Sequence, residues 1–193
     1  VRYYHFVRGS ISGVDDIIIS RTGYTGELGF ELYVRNKNVE KVWEALFSTN
    51  IDLKPIGLAA RDTLRLEKGY CLYGNDINDS TSPIEAGLGW ITRFSKEFIN
   101  DEYLARQKEE GVNRVLVGLV LQERGIARKD YIIVNQEKEE IGIITSGTMS
   151  PTLKESIALG YVKTKYSRKD SEIYIQIRNK YIKALVIELP FVK

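Results

Sequence analysis

Val115-Leu116-Val117-Gly118-Leu119-Val120-Leu121 is a short run of branched and aliphatic residues, too brief for a helix of ordinary length and rich in side chains that suit a pleated strand. Five more such runs follow it: Tyr131 to Val134, Ile141 to Thr145, Ile157 to Val162, Glu172 to Ile177 and Tyr181 to Leu189. Turn residues separate them, and no helical period intervenes. Strand runs at this spacing predict a small six-stranded antiparallel barrel or sandwich. The change of character sets a domain boundary near Gly111, dividing the chain into 1–110 and 111–193.

Upstream of that boundary the pattern is mixed, so the fold class is α+β. Ile17 to Ser20 and Phe30 to Val34 read as strands. Val39, Val42, Trp43, Leu46 and Phe47 fall at helical spacing over Asn38 to Ser48, giving an apolar stripe that should lie on the sheet those strands make. Pro55 opens a second helical stretch, Ile56 to Lys68, closed by Gly69, and it carries Arg61 and Arg65 one turn apart. Asn75 to Pro83 is a loop. A third helix is predicted over Asp101 to Glu110, with Asn100 as its cap and Gly111 beyond its end.

Composition narrows the function classes. With 193 residues, 43% of them hydrophobic, and a net charge of +2, the chain has enough material for a sizeable core. No apolar run reaches the length of a spanning helix, and nothing reads as a signal peptide, so a soluble cytoplasmic protein with no membrane role is expected. One cysteine, Cys71, makes no internal disulfide, and one histidine, His5, leaves no set of soft metal ligands, which argues against structural zinc and a His-based triad. Near-balanced charge argues against nucleic acid as a partner, and the basic stretch Lys163 to Lys169 reads as a solvated face. The only methionine is Met149, and Tyr3 to Val7 already alternate like a strand. A piece of a longer protein is therefore expected.

The chemistry concentrates in Thr22-Gly23-Tyr24-Thr25-Gly26-Glu27-Leu28-Gly29-Phe30-Glu31, where three glycines and two carboxylates share ten residues. Glycines permit positive φ and close approach of backbone to a ligand. Glu27, held between two of them, offers two oxygens to a flat donor with parallel N–H groups, such as an amidine-like ring edge or a guanidinium. The alternative is a glycine-rich hairpin with an exposed acid.

Further segments stand in fixed order beside this one: Gly57 to Gly69 with Ala60-Arg61-Asp62, then Leu72-Tyr73-Gly74-Asn75-Asp76-Ile77, Pro83 to Trp90 with Gly87-Leu88-Gly89-Trp90, Ile143 to Leu153 with Thr145-Ser146-Gly147, Gly160-Tyr161-Val162 and Pro190-Phe191-Val192. Together they resemble the carboxyl-terminal half of the aminomethyltransferase family, the T-proteins of the glycine cleavage system, over essentially the whole chain. The resemblance implies a ferredoxin-like α+β portion followed by a six-stranded antiparallel, jelly-roll-like barrel. It also implies transfer of the one-carbon unit from the S-aminomethyl-dihydrolipoyl arm of a lipoylated H-protein to tetrahydrofolate, with ammonia released. Tetrahydrofolate is then a co-substrate, and no metal is involved.

By the same resemblance the folate-contacting glutamate falls on Glu27, whose carboxylate suits the adjacent N–H and amino groups of a pterin. Two arginines that suit folate carboxylates fall on Arg61 and Arg128. Tyr24 and Trp90 supply flat rings that can wall the pterin. Each has a plainer reading: a helix-surface ion pair of Arg61 with Asp62 or Glu67, a solvated loop charge at Arg128, core packing for Trp90. Asp76 reads either as a group that positions others or as an Asx turn. The family's catalytic aspartate has no matching position in these residues, so the amino-terminal half is an implied partner and the chain alone is expected to be inactive. Departures from the family are Leu28, where an acid commonly follows the motif glutamate, and Lys129-Asp130, where a glycine is usual after the second arginine. Two alternatives stay open: the folate module of a dimethylglycine or sarcosine dehydrogenase, and a non-catalytic half that binds folate or H-protein.

Overall fold

Phe6–Ile11 (β1), Val14–Ser20 (β2) and Glu31–Tyr33 (β3) form an antiparallel sheet in the order β1-β2-β3 in the computed structural model, which describes residues 1–193. Val39–Phe47 (α1) follows and lies within one residue of the predicted span at each end. Only part of its stripe reaches the sheet. Val42 joins Val14 and Ile17 in the core of this unit, with Leu46, Ile19 and Leu32 packed against them, whereas Val39 and Trp43 are exposed. Trp43 stacks obliquely on Phe47, ring centroids 4.7 Å apart. The helix thus keeps two of its five apolar positions, Val42 and Leu46, in the sheet core, and the stripe is narrower than its spacing predicts.

The register of the hairpin carries one irregularity. Gly9 pairs with Ile17 and Ile11 with Val14, so β2 holds an extra residue, and Asp16 there has φ 60°. Its exposed carboxylate accepts hydrogen bonds from Arg35 and Arg8, each at 2.9 Å. Those guanidinium groups, Arg35 first, hold the Asp16 carboxyl below its usual range.

Leu58–Glu67 (α2) begins two residues later than predicted, because Gly57 supplies the carbonyl that accepts the first amide bonds, from Ala60 and Arg61. Its end follows the prediction. Gly69 takes φ 71°, the Gly69 amide donates to the Leu66 carbonyl, and the Tyr70 amide donates to that of Arg65, the paired bonds of a Schellman stop. The chain forms two compact units, Val1–Leu64 and Arg65–Lys193. The division falls inside α2.

Asp101–Glu110 (α3) matches its prediction, with Asn100 at the N-cap and Gly111 at the other end, but the side chain that serves the first amides is a different one. Asn100 sits at the N-cap with φ 69° and makes no side-chain capping bond; the Asp101 carboxylate accepts instead from the amides of Phe98 and Glu102. An aspartate inside the first turn can serve the orphan amides as well as a residue before it.

Arg114–Leu121 (β4), Ile132–Val134 (β5), Glu140–Met149 (β6), Ser156–Lys163 (β7), Glu172–Ile177 (β8) and Lys180–Ile187 (β9) close into one antiparallel barrel of order β4-β7-β6-β5-β8-β9. All six predicted strands are present. The run β7 is buried over nearly its whole length because its two faces serve two cores. Ala158 and Val162 point into the barrel with Leu119, Ile133, Ile144 and Ile175. Ile157, Leu159 and Tyr161 point the other way, onto Leu66 and Leu116. Period-two alternation with apolar residues on both faces is what a strand covered on both sides requires.

β6 continues four residues past its predicted end, through Ser146-Gly147-Thr148-Met149. A bulge permits this: Ile144 pairs with Gly160 and Ser146 with Leu159, leaving Thr145 extra. No helix is long and apolar enough to cross a membrane.

Candidate functional site

The ten-residue link between β2 and β3 is the motif loop. Its base is tied by side chains: Ser20 Oγ and Thr22 Oγ1 share a hydrogen bond of 2.9 Å, and Thr22 Oγ1 donates to the Glu31 carboxylate. Of the loop's three glycines only Gly26 takes positive φ, at 74°. Gly23 and Gly29 serve differently, since a Cβ built on either meets nothing within 4 Å; they leave bare backbone facing open space. The expectation that the glycines provide turn geometry therefore holds at Gly26, and at the other two the consequence is access.

This loop and the start of α2 enclose an open recess of about 450 Å³, lined by Tyr24, Glu27, Glu31, Phe30, Gly57 and Arg61 among others. The Arg61 guanidinium lies over the Tyr24 ring, 4.4 Å from its centroid, a cation–π contact that orients both side chains toward one wall. Glu27 is exposed at the recess, and Leu28 beside it is 82% exposed. Glu27, Tyr24 and Arg61 thus share one recess, with an acceptor pair, a ring face and a cation on its lining.

Trp90 and Arg128 are placed elsewhere in the chain. Trp90 is 70% exposed, which rules out the core reading and leaves its ring accessible. Arg128 is exposed in the link between β4 and β5, where its Nη1 donates to the Gly147 carbonyl at 3.4 Å. The neighbouring Lys129 Nζ donates to the Gly74 carbonyl at 2.7 Å and to Asn75 Oδ1 at 3.3 Å. Lys129 thus clasps the Tyr73-Gly74-Asn75-Asp76 loop.

Asp76, which is 1% exposed, anchors a buried polar network. Its Oδ2 accepts from Arg65 Nη1 at 2.7 Å, from the Leu72 amide at 2.8 Å and from Ser146 Oγ at 3.0 Å; its Oδ1 accepts from Thr145 Oγ1. Arg65, also 1% exposed, further donates to the Tyr70 carbonyl and to Ser146 Oγ. The Asx-type bond to Leu72 is real, yet it is one bond of four. The bulge in β6 explains how two consecutive residues reach one carboxylate: it re-aims Thr145 so that both hydroxyls share a face. Sequence reasoning missed Arg65 as the partner. The signals were a second arginine one turn from Arg61 and two adjacent hydroxyls inside an apolar strand.

Glu67 is a second buried carboxylate, 3% exposed. It accepts from Ser150 Oγ, from the Thr152 amide at 3.2 Å and from Thr152 Oγ1 at 3.0 Å, so it pins the turn after β6 rather than pairing with Arg61. Cys71 lies beside the Asp76 network. Burial, aided by the Asp76 charge, pushes its thiol from 9.0 up to about 11. A thiol that keeps its proton longer folded than unfolded stabilises the fold fully below about pH 9, and that contribution fades as pH rises toward about 11. Alkylation of the native protein by iodoacetamide, followed by mass spectrometry across pH, should therefore show a midpoint near 11; a midpoint near the unperturbed 9.0 would contradict this.

Comparison with known proteins agrees with this layout. Residues 1–96 match the GCVT N-terminal domain, and residues 114–193 match the glycine cleavage T-protein C-terminal barrel domain. The chain is 55% identical over 193 residues to an aminomethyltransferase of Flavobacterium psychrophilum, covering 99% of this chain and 54% of that protein. It is 53% identical over 197 residues to the aminomethyltransferase of Bacteroides thetaiotaomicron, covering 100% of this chain and 55% of the relative. Among solved structures, the glycine cleavage system aminomethyltransferase T from Bartonella henselae superposes with a TM-score of 0.87 at 36% identity, over 92% of this chain and 50% of that one. The chain spans about half the length of the curated relatives it matches.

Proposed function

Because the chain belongs to the glycine cleavage T-protein family, we propose that it serves aminomethyl transfer: the one-carbon unit carried by the S-aminomethyl-dihydrolipoyl arm of an H-protein passes to tetrahydrofolate, and ammonia leaves. Its share in that reaction is to hold the folate. The observation that carries the reading is the recess in which Glu27, Tyr24 and Arg61 meet beside bare glycine backbone.

A pterin presents an N–H and an amino group side by side, and a carboxylate accepts from both at once with charge-assisted bonds. Glu27 takes that edge. The Tyr24 ring, already held by Arg61, offers a face for stacking, and Arg61 offers a planar fork to a carboxylate. Trp90 and Arg128 are further candidate folate contacts on the family resemblance alone, a ring and a guanidinium outside this recess. Transfer then needs the folate nitrogen held against the methylene carbon while the carbon–nitrogen bond to ammonia breaks, a demand for orientation more than for a protein nucleophile. The aspartate that assists amine departure in the family has no counterpart among these residues, so the chain alone binds folate without turnover. The domain division proposed is 1–110 for the α+β portion and 111–193 for the barrel.

Calorimetric titration of the chain with tetrahydrofolate tests the reading. Glu27→Ala should weaken binding by about 1.5–3 kcal/mol, the range for hydrogen bonds to a charged group. Equal affinity in the two proteins would overturn it.

A further inference from the structure

At one end of the barrel, the link between β4 and β5 and the tight turn between β8 and β9 enclose a recess of about 520 Å³. Four cations line it, Arg124, Arg128, Arg178 and Lys180, and no carboxylate does. The whole chain carries a net charge of only +2, so like charge is concentrated here well beyond the average of the surface. Self-repulsion of that kind costs stability unless something offsets it.

The turn adds an independent observation. Ile177 pairs with Lys180, leaving Arg178 and Asn179 as a two-residue connection, and Arg178 takes φ 55°. That first turn position favours glycine. The arginine stands there at a local backbone cost, as Lys138 and Lys154 do at their own turns. The recess also has an apolar floor, formed by Ile126, Ile177 and Tyr131.

We propose that this barrel-end recess binds a small molecule carrying two or more carboxylate or phosphate groups beside an apolar or flat portion. Guanidinium forks match either anion bidentately, the volume suits a small ligand, and the floor takes the uncharged part. Arg128 also belongs to the folate reading; Arg124, Arg178 and Lys180 do not, and the proposal stands without that reading.

The test titrates the chain with citrate and, separately, with pyrophosphate at fixed ionic strength, comparing wild type with Arg178→Gly and Lys180→Ala. Arg178→Gly is the decisive variant: it relieves the turn, so it should fold at least as well as wild type in urea. It should nonetheless bind the responding probe about tenfold more weakly, the scale of one charge-assisted hydrogen bond. A response to citrate alone, to pyrophosphate alone or to both supports the site and identifies the anion class. Absence of binding to either probe, or binding unchanged in both variants, overturns it. Tetrahydrofolate affinity of Glu27→Ala is read separately, so the two proposals fail independently.

Discussion

Asp76→Ala lowers the stability of the chain by about 3–5 kcal/mol, the usual cost of breaking a buried ion pair from one side. The Arg65 and Asp76 side chains are 1% and 0% exposed. Removing the carboxylate takes from the interior guanidinium its 2.7 Å ion-pair partner, and it also strips acceptors from the Leu72 amide, Thr145 and Ser146. Water cannot easily replace them there. Replacing both members, as Arg65→Met with Asp76→Leu, should cost less than the two single changes summed, because neither partner is then stranded. Urea unfolding of the four proteins measures this. A single-variant loss below about 1 kcal/mol, the scale of an exposed pair, would show that the network contributes little.

Gly142→Ala is the second large effect. A Cβ built at Gly142 would stand 2.0 Å from the Tyr161 carbonyl oxygen and 3.0 Å from the Val162 Cα. Both obstacles are backbone of β7, fixed by the ladder in which Gly142 pairs with Val162, so no rotamer change relieves the clash. The loss should reach about 3 kcal/mol, the upper part of the range for overpacked sites. Gly29→Ala is the matched control, since a Cβ there meets nothing within 4 Å; its stability should stay within about 0.5 kcal/mol of wild type. Equal midpoints for Gly142→Ala and wild type would mean that β6 and β7 are not held as described.

The barrel was legible because each strand is a separate apolar run divided by turn residues, and the two-faced burial of β7 follows from its unbroken apolar character. The helices were legible from period and punctuation, Gly69 most clearly. What escaped was long-range polar pairing. Arg65 and Ser146 lie 81 residues apart, and nothing local to either announces the other. The bulge at Thr145 was hidden for the same reason, being a property of two strands in register. At the candidate site the loop and its acid were legible, as was Arg61; the stacking of Arg61 on Tyr24 depends on the fold bringing α2 to the loop. Trp90 shows the limit of composition, since its exposure contradicts the core position its size suggests.

The central claim is that the Glu27 carboxylate takes the adjacent N–H and amino groups of a reduced pterin. Its most direct test is a cycle of affinities: wild type and Glu27→Gln, each against tetrahydropterin and its analogue lacking the 2-amino group. Loss of the amino group should weaken binding to wild type by about 1.5–3 kcal/mol, the range for a charged hydrogen bond, and should weaken the variant much less. Equal losses in the two proteins would contradict the account.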